Sequence, residues 1–232
     1  MTVIIRRALD RFSTRESGRQ ALHSFSFGSF YDPERVAFGP LTALNDHLLG
    51  RGQGYDAHEH RDVVLVTWVV FGALVHTDET GTSRLGAGEL AVTHTAGGTT
   101  HSEVAGDAAT RFVQMWLRPG ATGGEPRRET ATPDLRGPGL VPVAGASGLT
   151  LDVPGATLSI ADLSDGEVLT LPDEPLVYVF VVTGALLRSS LAEPLAAGDA
   201  FEITRGDEDR GGRDLWVTAA VRTQLLVWTF QA

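Results

Sequence analysis

One seven-residue pattern occurs twice in this chain, and it fixes much of what the chain can become. Trp68-Val69-Val70-Phe71-Gly72-Ala73-Leu74 lines up with Phe180-Val181-Val182-Thr183-Gly184-Ala185-Leu186, an offset of 112 residues read from Gly72 to Gly184. Further on, Leu85-Gly86-Ala87-Gly88-Glu89 lines up with Leu195-Ala196-Ala197-Gly198-Asp199, an offset of 110 read from Gly88 to Gly198. Each copy runs β-branched and aromatic residues into a glycine and out again into apolar residues, the mark of strand, tight turn and return strand. Such a unit cannot bury its apolar face alone, so the repeat predicts two similar β domains in one chain.

The remaining pattern agrees with an all-β fold. The 232 residues are 42% hydrophobic, with 27 Gly and 11 Pro, which suits many short strands joined by turns around two small cores. Val63–Val70 is a nearly continuous β-branched run and reads as a strand buried on both faces. Ala73–Thr77, Leu90–Thr93 and Arg111–Leu117 read as further strands, as do Leu149–Val153, Thr157–Ile160, Val168–Leu171 and Val177–Val182. Thr2–Arg7 alternates weakly, as an edge strand would, and Leu41–Leu44 leads into the loop Gly50–Gly54. Between Pro119 and Gly139 neither period survives among Gly, Pro, Thr and charges. The expected division is an N-terminal domain 1–118, a linker 119–139 and a C-terminal domain 140–232.

Several function classes fall away on composition. There is no cysteine, which removes disulfides, thiolate catalysis and thiolate-bound metals. The formal net charge of −10, with arginines scattered, opposes direct nucleic-acid binding. No run has the apolar length of a membrane span, and Met1–Arg7 lacks the basic-then-apolar order of a secretory signal, so a cytoplasmic protein without a membrane partner is expected.

Two short pairs carry the chemistry. His58-Glu59-His60 and His101-Ser102-Glu103 each place two metal-ligating side chains at i and i+2, which in a strand point to one face. A single pair is a weak signal. Two pairs joined by strands and turns bring three imidazoles and a carboxylate together if their strands are neighbours. Three nitrogens and one oxygen suit iron, nickel, copper, zinc or manganese.

Gly52, five residues, His58-x-His60, then Gly86-Ala87-Gly88-Glu89 and His101-x-Glu103 resemble the cupin motifs. His23-Ser24-Phe25-Ser26-Phe27-Gly28, Tyr31-Asp32-Pro33, Phe38-Gly39-Pro40-Leu41, His58–Asp62 and Gln114-Met115-Trp116 narrow the resemblance to the pirin family, closely in the N-terminal half and in outline beyond it. The resemblance implies two cupin-type β-barrels, a bicupin, with His58, His60, His101 and Glu103 as metal ligands in the N-terminal barrel. It also implies one divalent metal, Fe(II) first, with Zn, Ni, Cu, Co or Mn as alternatives. The implied activity is that of the quercetin 2,3-dioxygenases in this family: dioxygen cleaves a flavonol ring with loss of carbon monoxide. Glu103 is the expected catalytic residue, a carboxylate that takes the substrate's proton. Small aromatic substrate and dioxygen are the expected partners, and the protein is expected to act as a monomer. The alternative is a non-enzymatic pirin whose metal state regulates a protein partner; a storage-like bicupin without a reaction is a third reading.

The chain departs from the family pattern twice. Val63-Val64 stands where Met-Glu usually follows, and Thr99-Thr100 replaces a more usual Ile-Arg, which removes one basic residue near the expected pocket mouth. The offsets put Thr170 and Pro172 where His58 and His60 stand, and Gly211 opposite His101; all seven histidines lie at or before residue 101. The C-terminal barrel is therefore expected to lack the ligands. His47, His76 and His94 are expected to be packed or hydrogen-bonded, with His23 in an aromatic cover over the barrel. Asp207-Glu208-Asp209 is expected to be a solvated loop.

Overall fold

The β-branched run forms the middle of a sheet, with Val64–Val69 all buried, as expected for a strand covered on both faces. The structure is a computed structural model and describes residues 1–189, 191–209, 211 and 214–231. The first strands are β1 (Thr2–Arg6), β2 (Phe12–Glu16), β3 (Arg19–His23), β4 (Leu41–Leu49), β5 (Gly54–His60), β6 (Val64–Phe71) and β7 (Ala73–Asp78). They are followed by β8 (Gly81–Gly86), β9 (Leu90–His94), β10 (Thr99–Ala105), β11 (Thr110–Leu117), β12 (Arg127–Ala131), β13 (Val141–Ala144) and β14 (Ala156–Leu163). The last are β15 (Val168–Thr170), β16 (Leu176–Thr183), β17 (Ala185–Leu186), β18 (Leu195–Ala196), β19 (Ala200–Thr204), β20 (Trp216–Thr218) and β21 (Thr223–Phe230). Among the described residues no helix is long and apolar enough to cross a membrane.

The chain divides into two units, each a cupin-type barrel. One comprises Arg11–Pro133 with Leu149–Pro154. It holds a seven-stranded sheet, β12-β9-β6-β11-β4-β3-β2, and a four-stranded sheet, β5-β10-β7-β8. Leu49, Val69, Leu74, Leu85, Ala91, Ala105 and Phe112 form its buried apolar cluster, drawn from both sheets. The other unit comprises Met1–Asp10, Asp134–Gly148 and Gly155–Ala232, with a six-stranded sheet, β1-β19-β16-β21-β14-β13, and the pairs β15-β20 and β17-β18. Its interior is filled by Val177, Val179, Val181, Phe201, Leu225, Val227 and neighbours, all under 4% exposed.

These boundaries differ from the expected ones in three places. Within the stretch read as a linker, Arg127–Ala131 forms β12 and pairs residue for residue with β9. As an edge strand it is half-exposed on both sides, so no alternation marks it in sequence. Thr2–Arg6 pairs along its length with β19 and so belongs with the C-terminal segments. Leu149–Val153 is not a strand; it joins the first unit, where the Thr150 carbonyl accepts from His94 Nε2 at 3.1 Å.

The duplication is reproduced at the turn that follows β6 and β16. Gly72 and Gly184 have φ of 80° and 81°, the left-handed turn that only glycine adopts without strain. Beside them, Thr110 Oγ1 accepts from the Ala73 N–H and donates to its carbonyl at 3.1 and 2.9 Å. Thr223 Oγ1 does the same with Ala185 at 3.0 and 2.9 Å. The second unit departs where the site would be. Thr170 pairs with Trp216, so the strand position of His101 is filled by Trp216 rather than Gly211. The longer connection between β19 and β20, which includes the short turn Asp207–Asp209, accounts for the shift.

Candidate metal centre and its cavity

β5 and β10 are antiparallel neighbours in which His58 faces His101 and His60 faces Thr99. Alternation along each strand then sends His58, His60 and His101 to one face. Their ring centroids are 4.7 Å (His58 to His101), 4.9 Å (His58 to His60) and 4.9 Å (His60 to His101) apart, and one nitrogen of each lies within 4.8 Å of the others. Among the described residues this is the group of metal-ligating side chains whose donor atoms converge.

The residues fit a metal on several counts. His60 Nε2 and both ring nitrogens of His101 are buried without a hydrogen-bond partner. Leaving such groups unpaired costs about 1–3 kcal/mol each, and a cation between them removes that cost. His58 Nδ1 donates to the Asp56 carbonyl at 2.7 Å, which fixes the tautomer whose Nε2 lone pair is available for ligation. Burial, with the other imidazoles adding to it, pushes His60 and His101 down to about 4 against an opposing pull from Glu103. Both are therefore neutral at pH 7, the form that binds metal.

Glu103 is placed differently. The register shifts between His101 and Glu103, a bulge that sets Glu103 opposite Tyr55. Its carboxylate is buried and outside the cluster of nitrogens. Gln114 Nε2 donates to its two oxygens at 2.9 and 3.1 Å, and His76 Nδ1 faces Oε1 at 3.9 Å. Burial alone would raise the carboxyl; the His76 imidazole, the field of His101 and the Gln114 donor outweigh it and hold Glu103 at about 2. Gln114 is oriented in turn by Trp116, whose Nε1 donates to Oε1 at 3.1 Å.

A cavity of about 460 Å³ opens beside these groups, within the same unit. His58, His60 and Glu103 line it together with Phe27, Trp116 and Ala57. Trp116 meets His60 edge-on at 4.8 Å and Phe27 edge-on at 5.1 Å, giving an aromatic wall beside the imidazoles.

The β4 part of the wall formed by the seven-stranded sheet carries polar residues that no sequence motif marks. The cavity side of β4 carries Asn45 and His47, buried polar residues in mid-strand. His23 Nδ1 lies 2.8 Å from Asn45 Oδ1 and its Nε2 2.9 Å from Thr14 Oγ1. His47 stacks on Phe112 at 4.6 Å, and its Nδ1 lies 2.8 Å from the Tyr55 hydroxyl. Burial pushes His47 down to about 4 and Tyr55 up to about 12. His76 is hydrogen-bonded, as expected, to Asp78 at 3.2 Å, and its ring also stands 4.9 Å from that of His101. His94 packs away from this group against Thr150 and Asp152. At the two departures from the family pattern, the Val63 N–H is bound by Thr95 Oγ1. Thr99 Oγ1 and the Thr100 N–H both donate to Glu79, and the guanidinium on the cavity rim is that of Arg19.

A Mycobacterium tuberculosis protein provisionally named a quercetin 2,3-dioxygenase is 39% identical over 242 residues, covering 100% of this chain and 96% of its own length. Quercetin 2,3-dioxygenase of Escherichia coli O157:H7 is 29% identical over 213 residues, covering 87% and 92%. The Escherichia coli bacterial pirin YhhW, solved in complex with nickel(II), superposes with a TM-score of 0.87 over 99% of both chains at 23% identity. With the Pirin family profile matching residues 5–117 and the mycobacterial relative spanning the whole length, the chain belongs to the pirin family.

Proposed function

We propose that this pirin is a metal-dependent dioxygenase that opens quercetin-like flavonols with dioxygen and releases carbon monoxide. The observation that carries the reading is the convergence of His58, His60 and His101, with the unpartnered ring nitrogens of His60 and His101 buried, beside a cavity lined by His58 and His60 and large enough for a small aromatic molecule. In this reading His58, His60 and His101 would hold one divalent ion, Fe(II) first among the candidates, with Glu103, which lies outside the cluster of nitrogens, as the fourth ligand. The activity named for relatives such as the Escherichia coli protein supports the substrate class.

A redox-capable divalent ion, when bound, supplies Lewis-acid binding of the substrate's enolisable oxygens and an electron path to dioxygen. The chain's own residues do the rest. Glu103, ionised at neutral pH, takes the proton of the substrate hydroxyl. Gln114 holds that carboxylate in place, and Trp116 holds Gln114. Phe27 and Trp116 stack against the planar substrate and keep water from the reacting carbons.

The test is metal analysis of protein purified without added metal, followed in the same sample by dioxygen uptake with quercetin. Uptake that scales with iron content is the expected result. Bound metal without uptake sinks the dioxygenase reading and favours regulation of a protein partner.

A further inference from the structure

Asn45 and His47 stand two residues apart on β4, point to the same side of the sheet and both line the cavity. Asn45 is 1% exposed and His47 6%. In each, one heteroatom is engaged and the other is buried without a partner. Asn45 Oδ1 is held by His23 and Nδ2 is left over; His47 Nδ1 is held by Tyr55 and Nε2 is left over. Two buried nitrogens left unpaired side by side are expensive in a folded protein unless something else takes them. The ligating histidines come from the four-stranded sheet and this pair from the seven-stranded sheet of the same unit, so a bound molecule can meet both.

We infer that Asn45 and His47 form an oxygen-recognition subsite, two N–H donors that read an acceptor oxygen on the substrate remote from the oxygens held at the histidine cluster. The inference rests on the dioxygenase reading and adds a substrate class: planar polyphenols with a carbonyl or hydroxyl oxygen on the ring away from the chelating pair. The hydrogen bonds set the directions. Thr14 O–H donates to His23 Nε2, His23 Nδ1–H donates to Asn45 Oδ1, and the Asn45 amide hydrogens face outward. With His47 Nδ1 taken as the acceptor of the Tyr55 O–H, 2.8 Å away, the ring proton is on Nε2. Neither residue reaches its donor role without these partners, so His23 and Tyr55 are positioning residues for the subsite.

The experiment uses zinc-loaded protein, because Zn(II) has no redox chemistry of its own, and calorimetric titration with two probes: quercetin, and 3-hydroxyflavone, which keeps the chelating pair but lacks the further hydroxyls. Asn45→Asp keeps the acceptor for His23 and replaces the donor by an oxygen. His47→Phe keeps the ring on Phe112 and removes the nitrogen, and His47→Gln restores an N–H near the place of Nε2. The expected result is quercetin bound about 5- to 20-fold more weakly by the first two variants, 3-hydroxyflavone bound as by wild type, and partial recovery in His47→Gln, in line with one hydrogen bond lost per variant. Equal weakening of both probes, or of neither, overturns the subsite, as does wild-type protein that binds neither. Should the variants show the expected pattern while the iron-loaded wild type consumes no dioxygen, the subsite stands and the dioxygenase reading falls.

Discussion

The Gln114 side-chain nitrogen lies 2.9 and 3.1 Å from the two oxygens of Glu103, and no other side-chain hydrogen bond to that carboxylate is shorter among the described residues. Gln114 sits on β11 and Glu103 on β10, strands of different sheets, so this contact ties the two sheets of the first unit together at the site. Replacing Gln114 with Met keeps the volume and removes the donor. We expect a loss of about 2 kcal/mol in urea unfolding, since hydrogen bonds to a buried charge contribute roughly 1.5–3 kcal/mol. An unchanged midpoint would show that Glu103 finds other donors.

Glu103→Gln separates holding the metal from moving the proton. The variant is expected to retain more than half of the wild-type metal content while dioxygen uptake with quercetin falls by about 10²-fold or more, the usual scale for a lost general base. Undiminished uptake would remove Glu103 from the chemistry.

Metal should also be a stabilising ligand of the folded state. For wild type, chelator treatment is expected to lower Tm by the equivalent of about 3 kcal/mol when the ion is present at roughly 100 times its Kd. For His101→Ala the same treatment should leave Tm where it was, with metal content down more than about tenfold. His94→Gln, which alters a histidine packed against Thr150 and Asp152, should behave as wild type in metal content.

Gly72 and Gly184 offer a test of the duplication itself. A Cβ at either would meet a backbone oxygen at 2.4 Å, that of Ala109 in the first unit and of Arg222 in the second. With positive φ in addition, Gly72→Ala and Gly184→Ala should each cost at least about 2 kcal/mol. Similar losses in chemical denaturation of the two variants are the expected outcome; a neutral substitution at either would mean that turn is not under the same constraint.

His47 gives the protein a pH dependence of known sign. Its pKa is near 4 in the folded chain because of burial, against 6.5 ordinarily. Above pH 6.5 the ring is neutral folded and unfolded. As pH falls toward 4 the unfolded chain takes up a proton that the folded chain refuses, so stability is lost across that window. The loss from this residue is on the order of 2–3 kcal/mol. Urea midpoints measured at about pH 7 and pH 4.5 should fall further for wild type than for His47→Phe; parallel curves would place the His47 pKa near its ordinary value.

The repeat around Gly72 and Gly184 and the spacing of His58, His60 and His101 were legible in the chain because both depend on local rules. Turn glycines recur at fixed places, and strand alternation sets which side chains share a face. β4 was not legible past Leu44, since Asn45, Asp46 and His47 interrupt its apolar run, and a polar residue in mid-strand reads as loop until a cavity explains it. β12 was hidden for the opposite reason, an edge strand too exposed to show a period.

The sequence by itself determined that this is an all-β chain of two related domains in which only the first contains histidines at ligand spacing, because alternation and turn chemistry act over a few residues. The tertiary structure alone decided which strands are neighbours. That placed His76 and Gln114 on Glu103, Asn45 and His47 on the cavity wall, and Thr2–Arg6 in the sheet of the C-terminal segments. Contacts between residues far apart in sequence depend on how sheets close on one another to bury apolar surface, and no local pattern records that closure.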